Sequence, residues 1–145
     1  MSEQPDKQRI ELMIQKGIRA VEDDIVIAIE DALDTCEYPK SGRDKLEASQ
    51  FRNLVRVADT TESAEVVKNF LRYQVGRERK WGRGKKSLAE RIVQDIDGRL
   101  RKYAKQIAED AGSSDAEKRI RMDLVRRYLG YGSRRLRFLS LDGEG

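Results

Sequence analysis

The fold is decided at residues 6–36, which read DKQRIELMIQKGIRAVEDDIVIAIEDALDTC. Apolar side chains recur there at steps of three and four residues, which is the spacing of one face of an α-helix. They are Ile10, Ile14, Ile18, Val21, Ile25, Ala28, Ile29, Ala32 and Cys36. The pattern predicts one long amphipathic helix. Gly17 lies on the same stripe, where it either lets another helix approach closely or weakens the helix by about 1 kcal/mol relative to alanine.

Helix-capping residues divide the rest of the chain into four more helices. The predicted N-caps are Ser49, Ser63, Ser87 and Ser114, the last two forming capping boxes with Glu90 and Glu117. The third and fourth helices are predicted to end near Gly76 and Gly112, and the last near Leu129. Residues 130–141 are expected to pack onto the bundle or onto a partner. The sequence thus predicts an all-α, single-domain bundle of about five helices over residues 1–145, frayed at 1–5 and 142–145.

Composition limits the classes of function that fit this chain. A length of 145 residues suits one domain. There is no histidine and one cysteine, Cys36, so no internal disulfide can form. Neither a signal peptide nor a membrane-spanning segment is predicted. The expected location is therefore the cytoplasm, with no membrane partner.

Catalytic and metal-binding chemistry finds little support in the residues. The absence of histidine excludes histidine-based catalysis, and Cys36 is interpreted as a small core residue because no base is available to activate it. The acidic groups at 22–24 and 30–34 share one helix, so they predict a solvated face, or a surface for a basic partner, rather than a metal site. Residues 83–87, RGKKS, lack the spacing of a nucleotide-binding phosphate loop. The sequence predicts no enzyme, no cofactor and no metal.

Charge is distributed unevenly along the chain. Residues 1–70 contain 15 acidic and 10 basic side chains, a net charge of −5, whereas residues 71–145 contain 11 acidic and 20 basic side chains, a net charge of +9. The segment 72–86 holds seven basic residues and one acidic residue, Glu78. This distribution favours binding to a nucleic-acid backbone, although a solvated loop that only promotes solubility is the alternative.

The centre of the basic segment is a glycine-containing loop that precedes the fourth helix. Its predicted phosphate-binding residues are Arg77, Arg79, Lys80, Arg83, Lys85 and Lys86. The amide groups at the start of the following helix would add attraction for phosphate. Trp81 is predicted either to stack on an unpaired base or to anchor the loop to the core. A second basic set on the last helix is partly neutralised by nearby carboxylates, and no motif for reading base sequence is present.

Two short blocks carry a family resemblance. They are residues 48–54, ASQFRNL, and residues 70–77, FLRYQVGR. Together they resemble the small subunit of type III CRISPR effector complexes, a family of helical bundles. The resemblance implies a subunit without nuclease activity that packs against the backbone subunits and the large signature subunit and follows guide or target RNA. It also implies RNA contacts by Arg52, Arg72 and Arg77.

The sequence analysis therefore leads to a non-catalytic, RNA-contacting CRISPR subunit that could also self-associate along the complex. Two alternatives stay open. One is a free-standing helical protein that binds DNA or RNA. The other is a helical adaptor whose arginines bind an acidic protein partner.

Overall fold

The computed structural model describes the backbone of residues 3–143 and the side chains of residues 6–141. Its five helices are α1 (Glu3–Thr35), α2 (Ala48–Thr60), α3 (Ala64–Arg77), α4 (88–110) and α5 (Glu117–Gly143). Helix α4 runs from Leu88–Asp95 through one π turn, Ile96–Leu100, into Arg101–Asp110. Residues 3–143 contain no β-strand, so the predicted all-α bundle is confirmed. The predicted fraying at 1–5 and 142–145 concerns residues outside those whose side chains are described.

The C-terminal helix α5 lies at the centre of the bundle. It packs against α1, α2 and α4, while α3 packs mainly on α2 and α4. The apolar stripe of α1 faces this centre, and α5 contributes a second fully buried set: Leu124, Val125, Tyr128, Leu129 and Leu136. Burial of two amphipathic stripes against each other is what stabilises such helices in water.

Helix α5 is longer than the sequence predicts. It was expected to end near Leu129, but it continues through Gly130 and Gly132 to Gly143. Glycine inside a helix costs about 1 kcal/mol, and burial of Leu136 offsets that cost. The predicted packing of the tail against the bundle is confirmed for Leu136, although as part of a helix rather than as an irregular segment.

Close approach of helices explains two of the glycines. A Cβ atom at Gly132 would lie 2.7 Å from both Ile29 Cγ1 and Phe51 Cζ, so α5 can touch α1 and α2 only without a side chain there. A Cβ atom at Gly17 would lie 2.9 Å from Ile107 Cγ2. Of the two interpretations of Gly17, close approach of another helix is confirmed.

Substitution of Gly132 and of Gly130, both on α5, tests the packing at the centre of the bundle. Gly132→Ala is expected to lower the free energy of unfolding by about 1–3 kcal/mol, because buried Phe51 and Ile29 must shift. Gly130→Ala is the matched control, since a Cβ atom there would meet nothing within 4 Å. It is expected to raise the free energy of unfolding by up to about 1 kcal/mol. Urea unfolding of both variants measures the difference, and equal effects would show that the contact at Gly132 has been misjudged.

The helix starts agree with the sequence at two positions and differ at two. Ser63 Oγ accepts a hydrogen bond from the Val66 amide and Ser87 Oγ accepts one from the Glu90 amide, which confirms both caps. Ser49 is not the cap of α2, because Glu47 takes that role and forms a capping box with Gln50. Ser114 lies inside a short 3-10 turn, Ser114–Ala116, that leads into α5. Both corrections move a boundary by only two or three residues.

Candidate nucleic-acid interface

The α2–α3 hairpin brings two distant parts of the sequence to one end of the bundle. Because the two helices run in opposite directions, the start of α2 lies beside the end of α3 and the loop that follows, residues 78–87. Gln50 Nε2 donates to Glu78 Oε2 at 3.1 Å, and the rings of Phe51 and Trp81 lie 5.4 Å apart. The blocks 48–54 and 70–77 are therefore neighbours in the structure.

The loop 78–87 is held in place by buried groups. The Tyr38 hydroxyl donates to the Lys80 carbonyl at 2.5 Å, and the Ala89 amide donates to the Trp81 carbonyl at 3.1 Å. Burial raises the pKa of Tyr38, so its phenol keeps the proton that it donates. Gly82 has a φ of +77°, and a Cβ atom there would lie 2.8 Å from Ser87 Cβ. The backbone of the loop thus has a defined conformation.

Trp81 anchors this loop and does not face solvent. Its side chain is only 1% exposed and packs against Phe51. Base stacking by Trp81 is therefore wrong as a prediction, because an indole must be accessible to stack on a nucleobase. The alternative interpretation of Trp81, as the residue that pins the loop to the core, is confirmed.

Most amides at the start of α4 already have hydrogen-bond partners. The Ala89 amide is bonded to Trp81, the Glu90 amide to Ser87 Oγ and the Arg91 amide to the Ser87 carbonyl. A helix N-terminus attracts phosphate through amides that lack a partner. A contribution from the Ala89 and Glu90 amides is therefore not expected, and phosphate binding would depend mainly on side chains.

Two of the predicted cations have partners within the protein. Lys80 Nζ lies 3.7 Å from Glu78 Oε2 with a side chain 28% exposed, and Arg79 Nε lies 3.5 Å from Asp44 Oδ1 with a side chain 68% exposed. The structure thus places Lys80 largely inside the loop. Arg79 stays accessible but shares its charge with Asp44.

Five other predicted cations are each exposed, and we call them the loop cations: Arg72, Arg77, Arg83, Lys85 and Lys86. Among the described residues none of them forms an ion pair with a carboxylate. Arg72 and Lys85 line the same cleft of about 310 Å³ between α3 and the start of α4, together with Val75, Val93 and Glu90. Glu90 is the acidic side chain among the residues that line this cleft.

The internal arginines behave differently. Arg127 pairs with Glu22 at 3.0 Å and with Asp123 at 2.6 Å, and Arg121 pairs with Asp97 at 2.9 Å. Further internal partners are found for Arg91 (Asp31, Asp95), Arg126 (Glu62 and the Ala58 and Thr61 carbonyls) and Arg135 (Glu30, Asp34). The molecule thus pairs these half-buried arginines with its own carboxylates, although the buried Nε of Arg135 has no hydrogen-bond partner, and it leaves the loop cations to solvent.

Arg52 lines a second basic groove rather than the cleft that holds Arg72 and Lys85. This groove, of about 560 Å³, is lined by Ala48, Arg52, Ser133, Arg134 and Arg137. The RNA-binding residues predicted from the sequence did not include Arg134 and Arg137. Their spacing of three on the last helix puts them on one face, whereas Arg135 between them reaches the carboxylates of α1.

Several acidic side chains of α1 and the thiol of Cys36 have partners within the protein. No group of three or more metal-ligating side chains occurs among residues 6–141. Glu22, Glu30, Asp31 and Asp34 each bind an arginine of the same chain, so the predicted solvated face is partly neutralised. Burial raises the pKa of the Cys36 thiol, which donates weakly to the Lys86 carbonyl at 3.6 Å. A protonated thiol is a poor nucleophile.

Membrane insertion by a helix is not indicated: none of the helices over the described residues has the length and apolarity needed to cross a bilayer. Comparison with protein-family models, curated proteins and solved structures finds no match to this chain.

Proposed function

We propose that this chain is a non-catalytic small subunit of a type III CRISPR ribonucleoprotein that holds the phosphate backbone of guide or target RNA. One observation carries the RNA-binding part. Five exposed cations lie on and beside a rigid loop without a carboxylate partner among the described residues, in a protein that pairs its half-buried arginines. Such unpaired charge is available to an external polyanion.

The chemistry favours backbone contact over base reading. Arginine forks match the geometry of phosphate oxygens, and lysine adds point charge. Trp81 is buried and cannot stack on a base, whereas Tyr73, next to Arg72, is 62% exposed and could stack without reading sequence. Contacts to phosphate position a protein on RNA without reading sequence. The groove with Arg52, Arg134 and Arg137 supplies a second basic surface for the same polymer.

The CRISPR assignment rests on the family resemblance of residues 48–54 and 70–77. In support, the hairpin places both blocks side by side next to the loop cations. The partners proposed are guide or target RNA, the repeated backbone subunits and the large signature subunit. The place of action that follows is the cytoplasm.

Removing four cations is expected to weaken RNA binding in a salt-dependent way. The variant Arg72→Ala, Arg77→Ala, Arg83→Ala, Lys85→Ala should make the slope of log affinity against log salt less negative by about 2.8, at roughly 0.7 per lost contact with single-stranded RNA. Fluorescence anisotropy with a mixed-sequence RNA oligonucleotide over a salt series measures this slope.

A charge-matched control separates site binding from net charge. Replacing Arg101, Lys102, Lys105 and Lys118 with alanine also removes four positive charges, from the other end of α4 and the start of α5. The first three line a separate groove beside the π turn. The control is expected to keep most of the wild-type slope. Equal losses in both variants would show that binding follows net charge and that the loop is not the site.

Co-purification tests the assembly. A tagged chain isolated from its native cells should bring down CRISPR backbone proteins and guide RNA. Recovery of nucleic acid without CRISPR subunits would instead indicate a free-standing nucleic-acid-binding protein. Recovery of acidic proteins alone, without nucleic acid, would overturn both proposals.

A further inference from the structure

The face of α1 that points away from the bundle carries large exposed apolar side chains. Leu12 is 69%, Met13 41% and Ile27 61% exposed. Ile14, Ile18, Ile25 and Ile29 on the opposite face are buried against the rest of the bundle. Isolated exposed apolar residues are ordinary, but these three lie on one side of one helix. That side has helical spacing of its own, with steps of three and four through Arg9, Met13, Lys16, Ala20, Asp23 and Ile27.

Charge is segregated along the same face. The basic residues of α1 all precede Ala20, and between Ala20 and Thr35 every charged residue is acidic. Near the midpoint, Lys16 and Arg19 on one side and Asp23 and Asp24 on the other are exposed. None of these four has an ion-pair partner among the described residues.

From this pattern we infer that a second copy of the chain docks on α1 in antiparallel orientation, with the two-fold axis near Ala20. In a two-fold interface, residue i of one copy meets residue j of the other and j meets i. An antiparallel pair centred on Ala20 places Ile27 of each copy against Leu12 and Met13 of the other. It also places Lys16 opposite Asp23 and Asp24. The three large apolar side chains and Lys16 then each meet a complementary group.

The other occupants fit the face less well. A parallel pair of α1 helices would bring like charges together, which is unfavourable. A nucleic acid would be repelled by the acidic half of the face. The small side chain of Ala20 at the centre permits two helix axes to approach closely. From Arg9 to Asp31 the face extends about 33 Å at 1.5 Å per residue, long enough for several turns of contact. This dimer is independent of RNA binding.

Sedimentation equilibrium of the full chain tests the dimer. The wild-type protein is expected to show a monomer–dimer equilibrium with a dissociation constant in the micromolar range, since one helix face is a small interface. The variants Lys16→Glu, Arg19→Glu and Asp23→Lys, Asp24→Lys should each be monomeric, because each places like charges across the axis. An equimolar mixture of the two variants should dimerise again, because opposite charges then meet.

Two controls make the result decisive. The double variant Asp59→Lys, Glu109→Lys reverses two exposed carboxylates on α2 and α4 and is expected to dimerise like the wild type. On a Cys36→Ser background, Ala20→Cys should form an intermolecular disulfide on mild oxidation, and Lys105→Cys should not. A chain that stays monomeric at every concentration would overturn the inference. So would a dimer that survives both charge reversals, or one that Ala20→Cys fails to crosslink.

Discussion

Replacing Trp81 with alanine is expected to lower the free energy of unfolding by about 3–5 kcal/mol, because a large buried side chain is lost. The indole is 1% exposed and lies against Phe51 with ring centroids 5.4 Å apart. Its removal leaves a cavity between α2 and the loop 78–87, which cannot collapse because Tyr38 and Ala89 hold the neighbouring backbone. Thermal or urea unfolding followed by circular dichroism measures the loss.

An exposed neighbour provides the control for Trp81. Arg79→Ala removes a side chain that is 68% exposed and pairs only at 3.5 Å with Asp44. Surface changes of this kind stay within about 0.5 kcal/mol. If Trp81→Ala were equally mild, the indole would not be the anchor of the loop. The loop cations could then not be treated as a fixed set.

Replacing Asp95 with alanine is expected to cost a similar amount, about 3–5 kcal/mol, because it breaks a buried charged network. Asp95 is 4% exposed, and its carboxylate accepts from the Tyr128 hydroxyl at 2.5 Å. It also pairs with Arg91 at 3.3 Å and with Arg99 at 3.2 Å. Burial and the charge of Asp95 raise the pKa of Tyr128, so the phenol stays protonated and donates to the carboxylate. Without Asp95, that fully buried hydroxyl lacks its acceptor.

A double-mutant cycle shows whether the two groups act together. Tyr128→Phe alone is expected to cost about 1.5–3 kcal/mol, as for a hydrogen bond to a charged group. The double variant should cost less than the sum of the single changes, because the lost interaction is then counted once. Strict additivity in urea unfolding would contradict a direct Tyr128–Asp95 interaction. Asp59→Ala, an exposed carboxylate on α2, serves as the stability control.

The helices could be predicted because their signals are local. The stripe of α1, the Ser63 and Ser87 caps and the end of α4 near Gly112 each depend on residues within one or two helical turns. The cap of α2 was predicted two residues too late, at Ser49. A nearby residue, Glu47, is the cap instead, because it and Gln50 form a reciprocal pair of hydrogen bonds. Errors of this size are local as well.

The candidate site could be predicted only in part. The density of positive charge between Arg72 and Lys86 is visible in the sequence, but the pairing of each cation is not. Arg127 and Glu22, which pair at 3.0 Å, lie 105 positions apart. Lys80 and Trp81 stand in the middle of the basic segment and are nevertheless covered, because Tyr38 and Phe51 from earlier in the chain pack on that loop. The proximity of Arg52 to Arg134 and Arg137 has the same long-range origin.

The amino-acid sequence by itself determined the all-helical class, the long first helix, the buried stripe and the uneven distribution of charge. Periodicity and capping act over a few neighbouring residues, and composition is a simple count, so these features can be read from the sequence without knowing which distant residues meet. The tertiary structure decided which cations stay free, that Trp81 supports the loop from inside and that Gly132 lets three helices meet. Those features depend on contacts between residues far apart in the chain, and only packing brings such residues together.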